Sequence, residues 1–169
     1  MEARLILVTG GARAGKSAFA QRRAQALGGS GVSFIATAEV LDEEMQSRIL
    51  RHQRERPQDW ETLEEPLTVP TALQTARHPV VVLDCLTLWV SNLMMAEKEV
   101  LPQIENLLAI CAETDKTLLV VTNEVGMGIV PDNVLARQYR DLLGAANRRI
   151  AEQAEAVYLL VSGIPVKIK

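Results

Sequence analysis

Leu5-Ile6-Leu7-Val8-Thr9-Gly10-Gly11-Ala12-Arg13-Ala14-Gly15-Lys16-Ser17 is the stretch from which the fold is read. The first five residues are an apolar, strand-forming run, and Lys16-Ser17 open a run of helix formers. The residues between carry the spacing G-x-x-x-x-G-K-S, so the order is strand, glycine loop, helix. Gly10 and Gly15 permit positive φ, which turns backbone N–H groups toward one point, and the helix adds the positive end of its dipole there. Such a loop is a phosphate cradle: Lys16 is placed to reach the β- and γ-phosphates of a nucleotide, and the Ser17 hydroxyl to ligate Mg²⁺.

Outward from the cradle, strands and helices alternate. Ser17 to Leu27 reads as the first crossover helix, stopped by Gly28-Gly29-Ser30-Gly31, and Val32 to Thr37 as a short strand. Asp42 to Arg56 reads as a polar helix capped by Asp42 and halted at Pro57. Gln58 to Pro66 is a short strand or an ordered loop, and Val69 to Arg77 a helix. Val80 to Asp84 and Thr117 to Thr122 are continuous apolar runs suited to parallel strands buried on both faces. Between them Leu86 to Met95 and Leu101 to Glu113 read as helices. Asn123 to Pro131 is a long glycine-punctuated loop, a candidate ligand-facing or interface segment. Asn133 to Ala156 then reads as a long helix, Val157 to Val161 as a fifth strand and Val166 to Lys169 as a final edge strand. The expected fold is one α/β domain spanning residues 1–169, P-loop NTPase-type and RecA-like. It has three layers: a mainly parallel central sheet with helices on both faces and a C-terminal edge strand, doubly wound with right-handed crossovers. Ligands of such sheets sit at the carboxyl ends of the strands.

Composition narrows the function classes. The 169 residues carry 18 basic and 21 acidic side chains, a formal net charge of −3, and 48% hydrophobic residues. That balance favours neither nucleic acid nor an anionic membrane as partner. No apolar run reaches the ~18 residues of a membrane span, and no charged leader with an apolar core precedes the first strand, so a cytoplasmic protein without membrane insertion is expected. Cys85 and Cys111 lie in apolar segments without metal-ligand spacing and read as buried reduced thiols.

Asp84, closing an apolar strand, is the expected second half of a nucleotide site, where it would hold the Mg²⁺ shell, cap the next helix, or both; Thr87 is near enough to share that site. Thr122-Asn123-Glu124-Val125 lacks the Asn-Lys-x-Asp pattern of a switch GTPase, and the 4% aromatic content argues against the stacking platform of a DNA motor. Arg48, His52 and Arg56 recur every four residues, so they share one helical face. A cationic stripe around an imidazole suits a triphosphate and a phosphoramidate intermediate, although periodicity alone favours a solvated face with an incidental histidine. His78, beside Pro79 in a turn, reads as exposed.

Taken together, the sequence resembles the bifunctional adenosylcobinamide kinase/adenosylcobinamide-phosphate guanylyltransferases of cobalamin biosynthesis. The resemblance rests on Val8 to Arg13 with Gly15-Lys16-Ser17, Ile35-Ala36-Thr37, and Asp42 to Met45. It continues through Arg48-Ile49 with His52, Arg56-Pro57, Trp60, Thr122 to Pro131, and Val161-Ser162-Gly163 with Val166-Lys167. It implies that His52 accepts GMP and that Gly10, Gly11, Ala12, Arg13, Ala14, Gly15, Lys16 and Ser17 bind nucleotide phosphate. It also implies a guanine-nucleotide site drawing on Thr37, Arg48, Gln53, Arg54, Glu55, Arg56, Asp84, and Glu64 or its neighbour Glu65. ATP and GTP would be substrates with Mg²⁺, adenosylcobinamide and its phosphate the acceptors, and the assembly a homotrimer with active sites near subunit contacts. Two departures stand out: Ala14 occupies a position where Ser is common, and the segment Glu97 to Gln103, with Pro102, is short. A P-loop kinase of another small metabolite without a covalent intermediate, or a non-enzymatic nucleotide-binding assembly module, are the competing functions.

Overall fold

The computed structural model describes residues 4–39 and 57–169. Among them the chain forms one seven-stranded sheet, built from β1 (Leu5–Gly10), β2 (Val32–Ala36), β3 (Glu61–Glu64), β4 (Val80–Asp84), β5 (Thr117–Val121), β6 (Ala156–Val161) and β7 (Ile164–Lys167). The helices are α1 (Lys16–Gly28), α2 (Val69–Thr75), α3 (Leu86–Met95), α4 (Val100–Glu113) and α5 (Val134–Gln153). Strand order across the sheet is β3-β2-β4-β5-β1-β6-β7. All neighbours pair parallel except β7, which runs antiparallel to β6 along an exposed edge. Pro165, which cannot donate to a ladder, sits on that edge strand, where it is tolerated.

The expected architecture is present, with shifted boundaries. The region Gln58 to Pro66 contains a genuine strand, β3, so the strand beginning at Ala156 is the sixth rather than the fifth. The long helix ends at Gln153 instead of Ala156, because Ala156 pairs with Ile6 in the sheet. The last strand begins at Ile164, since Ser162 and Gly163 take positive φ and turn the chain back at once. Val69 starts a helix that stops at Thr75, where the chain turns extended at Ala76. Pro102 lies in the first turn of α4, where a missing N–H costs nothing. The polar helix expected over Asp42 to Arg56, with Arg48, His52, Gln53, Arg54, Glu55 and Arg56, lies outside the described residues apart from its stop at Pro57.

Period-two alternation divides the sheet's side chains between two cores. Leu7, Ile35, Leu83, Leu118 and Val120 face α2, α3, α4 and α5, whose Leu73, Trp89, Ile104 and Ile150 are fully buried. Ile6, Val8, Phe34, Val82, Leu119 and Val121 face α1, whose small Ala20 and Ala24 let it lie close on the strands. Each fully buried Leu or Ile contributes about 1.5–3 kcal/mol relative to exposure. The buried Trp89 also satisfies its indole N–H on the Leu67 carbonyl at 2.8 Å. The consequence for function is positional: six parallel strands bring their carboxyl ends to one edge, above which the glycine loop lies.

Candidate nucleotide site

The loop adopts the conformation expected of its glycines. Gly10 has φ 147°, Gly15 φ 88°, and Arg13 also takes a positive value, 58°. At Gly10 the requirement is steric as well, because an added Cβ would lie 2.5 Å from the Leu160 carbonyl oxygen. Gly15 is the residue from which α1 starts, and its carbonyl accepts the Phe19 N–H at 3.0 Å. From the edge hairpin, the Gly163 N–H donates to the Ala14 carbonyl at 3.1 Å, so the β6–β7 turn buttresses the loop. Ala12 is exposed and the Ala14 side chain is buried in the α1-side core, which explains why an alanine serves at that position.

Lys16 is buried and folds back so that Nζ donates to the Gly11 carbonyl at 2.6 Å. Desolvation lowers its pKa, an effect partly countered by its neighbours Cys85 and Asp84 at the end of β4. An ammonium held against a loop carbonyl in a desolvated position is poised to exchange that partner for a phosphate oxygen. Ser17 follows at half-buried exposure.

Strand register collects the acids. Ala36 pairs with both Glu64 and Asp84, and Asp84 pairs with Val121, so the ends of β3, β2, β4 and β5 stand in one row. By alternation from Val80 and Val82, Asp84 belongs to the α1 face, the face that carries Lys16. The residue at the N-cap of α3 is Cys85, which makes no side-chain cap, so Asp84 stands one position too early to be that helix's N-cap. Desolvation, with Asp84 adjacent, pushes the Cys85 thiol up to about 12.

Thr37 is fully buried and already committed. Its hydroxyl donates to the Cys85 carbonyl at 2.8 Å and accepts the Cys85 N–H at 2.9 Å, while Asn92 holds its carbonyl at 2.8 Å. It therefore fixes the turn after Asp84 through its side chain. Between the two adjacent glutamates, Glu65 accepts the N–H groups of Leu67 and Thr68 at 2.9 and 2.7 Å, a structural role in the turn before α2. Glu64 is exposed at the carboxyl end of β3, on the side of the sheet edge where ligands gather. His78 is half-buried rather than exposed, its backbone N–H donating to Ser33 Oγ at 3.2 Å.

A second cluster joins Thr87 and the start of the Asn123 loop, both singled out in the sequence, to Asn147 and Tyr139, which sequence reasoning missed. Thr122 Oγ1 donates to Asn147 Oδ1 at 2.7 Å, Asn147 Nδ2 donates to the Asn123 carbonyl at 3.1 Å, and the Asn123 N–H donates to Thr87 Oγ1 at 2.7 Å. Tyr139 adds a bond from its hydroxyl to the Thr87 carbonyl at 3.0 Å. The available signal is Asn147 itself, a polar residue one position from the buried stripe Leu143, Ala146, Ile150 of α5. The Asn123 to Pro131 loop leaves the site from this cluster, with Met127 and Ile129 strongly exposed.

A glycine cradle between β1 and α1, an acid two strands away, and a further strand inserted between them define a P-loop nucleotide-binding protein of RecA-like sheet order. Solved structures agree on the fold. The flagellar accessory protein FlaH from Methanocaldococcus jannaschii superposes with a TM-score of 0.52 at 14% identity, covering 97% of this chain and 75% of that one. A second solved structure, an ATPase domain, gives 0.50 at 13% identity, covering 92% and 68%. Sequence comparison is more specific: the family model for cobinamide kinase / cobinamide phosphate guanyltransferase matches residues 6–168. The bifunctional adenosylcobalamin biosynthesis protein CobU of Escherichia coli is 42% identical, over 98% of this chain and 99% of its own length. CobU of Salmonella typhimurium is equally similar, with the same coverage. CobP of Pseudomonas aeruginosa is 41% identical over 96% of each chain. The chain belongs to the cobinamide kinase / cobinamide phosphate guanyltransferase family, and is a transferase of that family.

Proposed function

We propose that this chain, as one domain over residues 1–169, phosphorylates adenosylcobinamide with ATP or GTP and then guanylylates the product through His52. The observation that carries the reading is the near full-length family match on a chain whose cradle, Lys16 and Asp84 share one face of the sheet. In the kinase step the acceptor hydroxyl oxygen bonds to the γ-phosphorus as the bond to the β–γ bridging oxygen breaks. The nucleoside diphosphate leaves and the hydroxyl proton is released. Loop N–H groups and Lys16 stabilise the charge that spreads over the γ-oxygens, so positioning does most of the work. The Ser17 hydroxyl and the Asp84 carboxylate are the groups that would hold Mg²⁺, which when bound neutralises phosphate charge.

In the transferase step a neutral His52 nitrogen bonds to the α-phosphorus of GTP and pyrophosphate leaves. The phosphate oxygen of adenosylcobinamide phosphate then takes the GMP as the phosphorus–nitrogen bond breaks, giving adenosylcobinamide-GDP. Arg48 and Arg56, each four positions from His52 in the sequence, would keep that imidazole unprotonated and steady the phosphates. Gln53, Arg54, Glu55, Glu64 and Asp84 complete the proposed guanine-nucleotide site, which Thr37, buried and bonded to Cys85, supports by fixing the turn after Asp84, in a cytoplasmic homotrimer. Glu64 is preferred to Glu65 because it is exposed at the carboxyl end of β3, whereas the Glu65 carboxylate accepts the N–H groups of the turn before α2.

GTP labelled at the α-phosphate tests the covalent step. Protein-bound label that survives base, is lost in acid and is missing in His52→Ala is the expected result. An unlabelled wild type would refute the transferase half. Lys16→Ala is expected to abolish phosphorylation of adenosylcobinamide; unchanged turnover would refute the cradle assignment.

A further inference from the structure

The β5 strand ends in a way that needs explaining. Its neighbour β4 stops at Asp84, which pairs with Val121, so beyond Val121 the ladder on that side has run out. On the other side the chain stays extended, with Thr122 N–H donating to the Val8 carbonyl at 2.9 Å and Glu124 N–H to the Gly10 carbonyl at 3.0 Å. Where β4 is missing, side chains take its place: Thr87 accepts the Asn123 N–H and Asn147 donates to the Asn123 carbonyl. Thr122, fully buried, positions Asn147 in turn. Two polar side chains thus clamp the backbone of one residue, and a third holds one of them in place.

The clamp determines where the Asn123 side chain goes. Leu118, Val120 and Thr122 project to the face of α5, and Leu119 and Val121 to the face of α1. Asn123 is the next residue of the second set. On that face its flanking columns end in Gly10 on β1 and Asp84 on β4, and Lys16 opens the helix in front of them. Asn123, half-buried, therefore stands by register between the loop that cradles the phosphates and the acid that closes the site.

We propose that Asn123 is a substrate-contacting residue, its Nδ2 donating a hydrogen bond to the γ-phosphoryl group of the triphosphate held by Lys16. The proposal rests on the nucleotide site of the proposed function. A neutral donor on rigid backbone suits a phosphoryl group whose charge grows at the equatorial oxygens during transfer, because no reorganisation is needed at that moment. Asn147 and Thr87 are positioning residues: they act on the phosphate only through the Asn123 backbone.

The test is a comparison of affinities for β,γ-imido-ATP and ADP, measured calorimetrically with Mg²⁺ on the full chain. Wild type is expected to prefer the triphosphate. Asn123→Ala is expected to lower that preference about tenfold, the scale of one hydrogen bond to a charged group, with ADP affinity within about twofold of wild type. Asn123→Asp, nearly isosteric but an anionic acceptor, is expected to lower it further. Asn147→Ala, which frees the clamp and keeps the carboxamide, is expected to give an intermediate loss. In turnover, Asn123→Ala is expected to reduce kcat for adenosylcobinamide phosphorylation with KM for that acceptor unchanged. An unchanged triphosphate preference in Asn123→Ala, or equal weakening of both nucleotides, would overturn the proposal. Because affinity is read without turnover, a wild type that binds the analogue yet phosphorylates no cobinamide refutes the proposed function alone, and the Asn123 contact is still decided by the affinity ratio.

Discussion

Replacing Gly10 by alanine isolates the geometric demand of the cradle. The new Cβ would stand 2.5 Å from the Leu160 oxygen, 3.2 Å from its nitrogen and 3.3 Å from its carbonyl carbon, all backbone atoms of the paired strand β6. None of these can swing aside as a side-chain tip could. The φ of 147° adds strain of about 1–3 kcal/mol for a residue with a Cβ, and forcing atoms into a packed region costs about 1–3 kcal/mol more. The two come to about 4 kcal/mol, or roughly 8–16 °C in Tm for a chain of this size. Gly11→Ala is the matched control, since an added Cβ there meets nothing within 4 Å. Thermal unfolding followed by circular dichroism reads both variants, and calorimetry with β,γ-imido-ATP reads the cradle. Gly10→Ala is expected to lose stability and nucleotide affinity together, as β1 and β6 separate at the loop's root. If it melts with Gly11→Ala, within about 2 °C of wild type, the steric reasoning is wrong.

Three further outcomes are expected. Burial alone would raise the Glu61 pKa, but the bonds from Ser33 Oγ at 2.5 Å and from the Arg77 N–H groups outweigh it and hold the carboxyl below its ordinary value. The folded pKa being the lower one, this stabilisation is complete above the unfolded carboxyl's pKa and is lost as pH falls through the folded value. Glu61→Gln should therefore lower Tm at pH 7 and flatten its decline in acid; a parallel decline in both proteins would contradict this. Asn147→Leu should cost about 1–3 kcal/mol in urea unfolding, because it strands the Thr122 hydroxyl and the Asn123 carbonyl, and a neutral result would show the clamp to be dispensable. Cys85, half-buried rather than buried as expected, has its thiol pushed up to about 12, and burial raises that of Cys111, so at pH 8 iodoacetamide should label the denatured chain far faster than the native one; equal rates would refute this protection.

Much of the site is legible in the sequence, for a local reason. The cradle is contiguous, and its glycines, lysine and serine act through backbone conformation within a few residues of one another. The buried strands are equally plain, because runs such as Val80 to Asp84 have no polar face. β3 is ambiguous since its four residues, Glu61 to Glu64, alternate between half-buried and exposed at the sheet's edge. The choice between Glu64 and Glu65 is closed to sequence because it depends on which carboxylate the turn before α2 consumes.

By itself, then, the amino-acid sequence determined the glycine loop, the alternation of strands and helices and the kinship with a cobinamide-modifying family, all of which reside in short segments or in their order. Only the tertiary structure decided that β5 lies between β1 and β4, and hence that Asn123 stands between Gly10 and Asp84. Lateral strand order is a long-range choice made by packing of whole faces, and hydrogen bonds from residues 24 and 36 positions away cannot be seen in any local pattern.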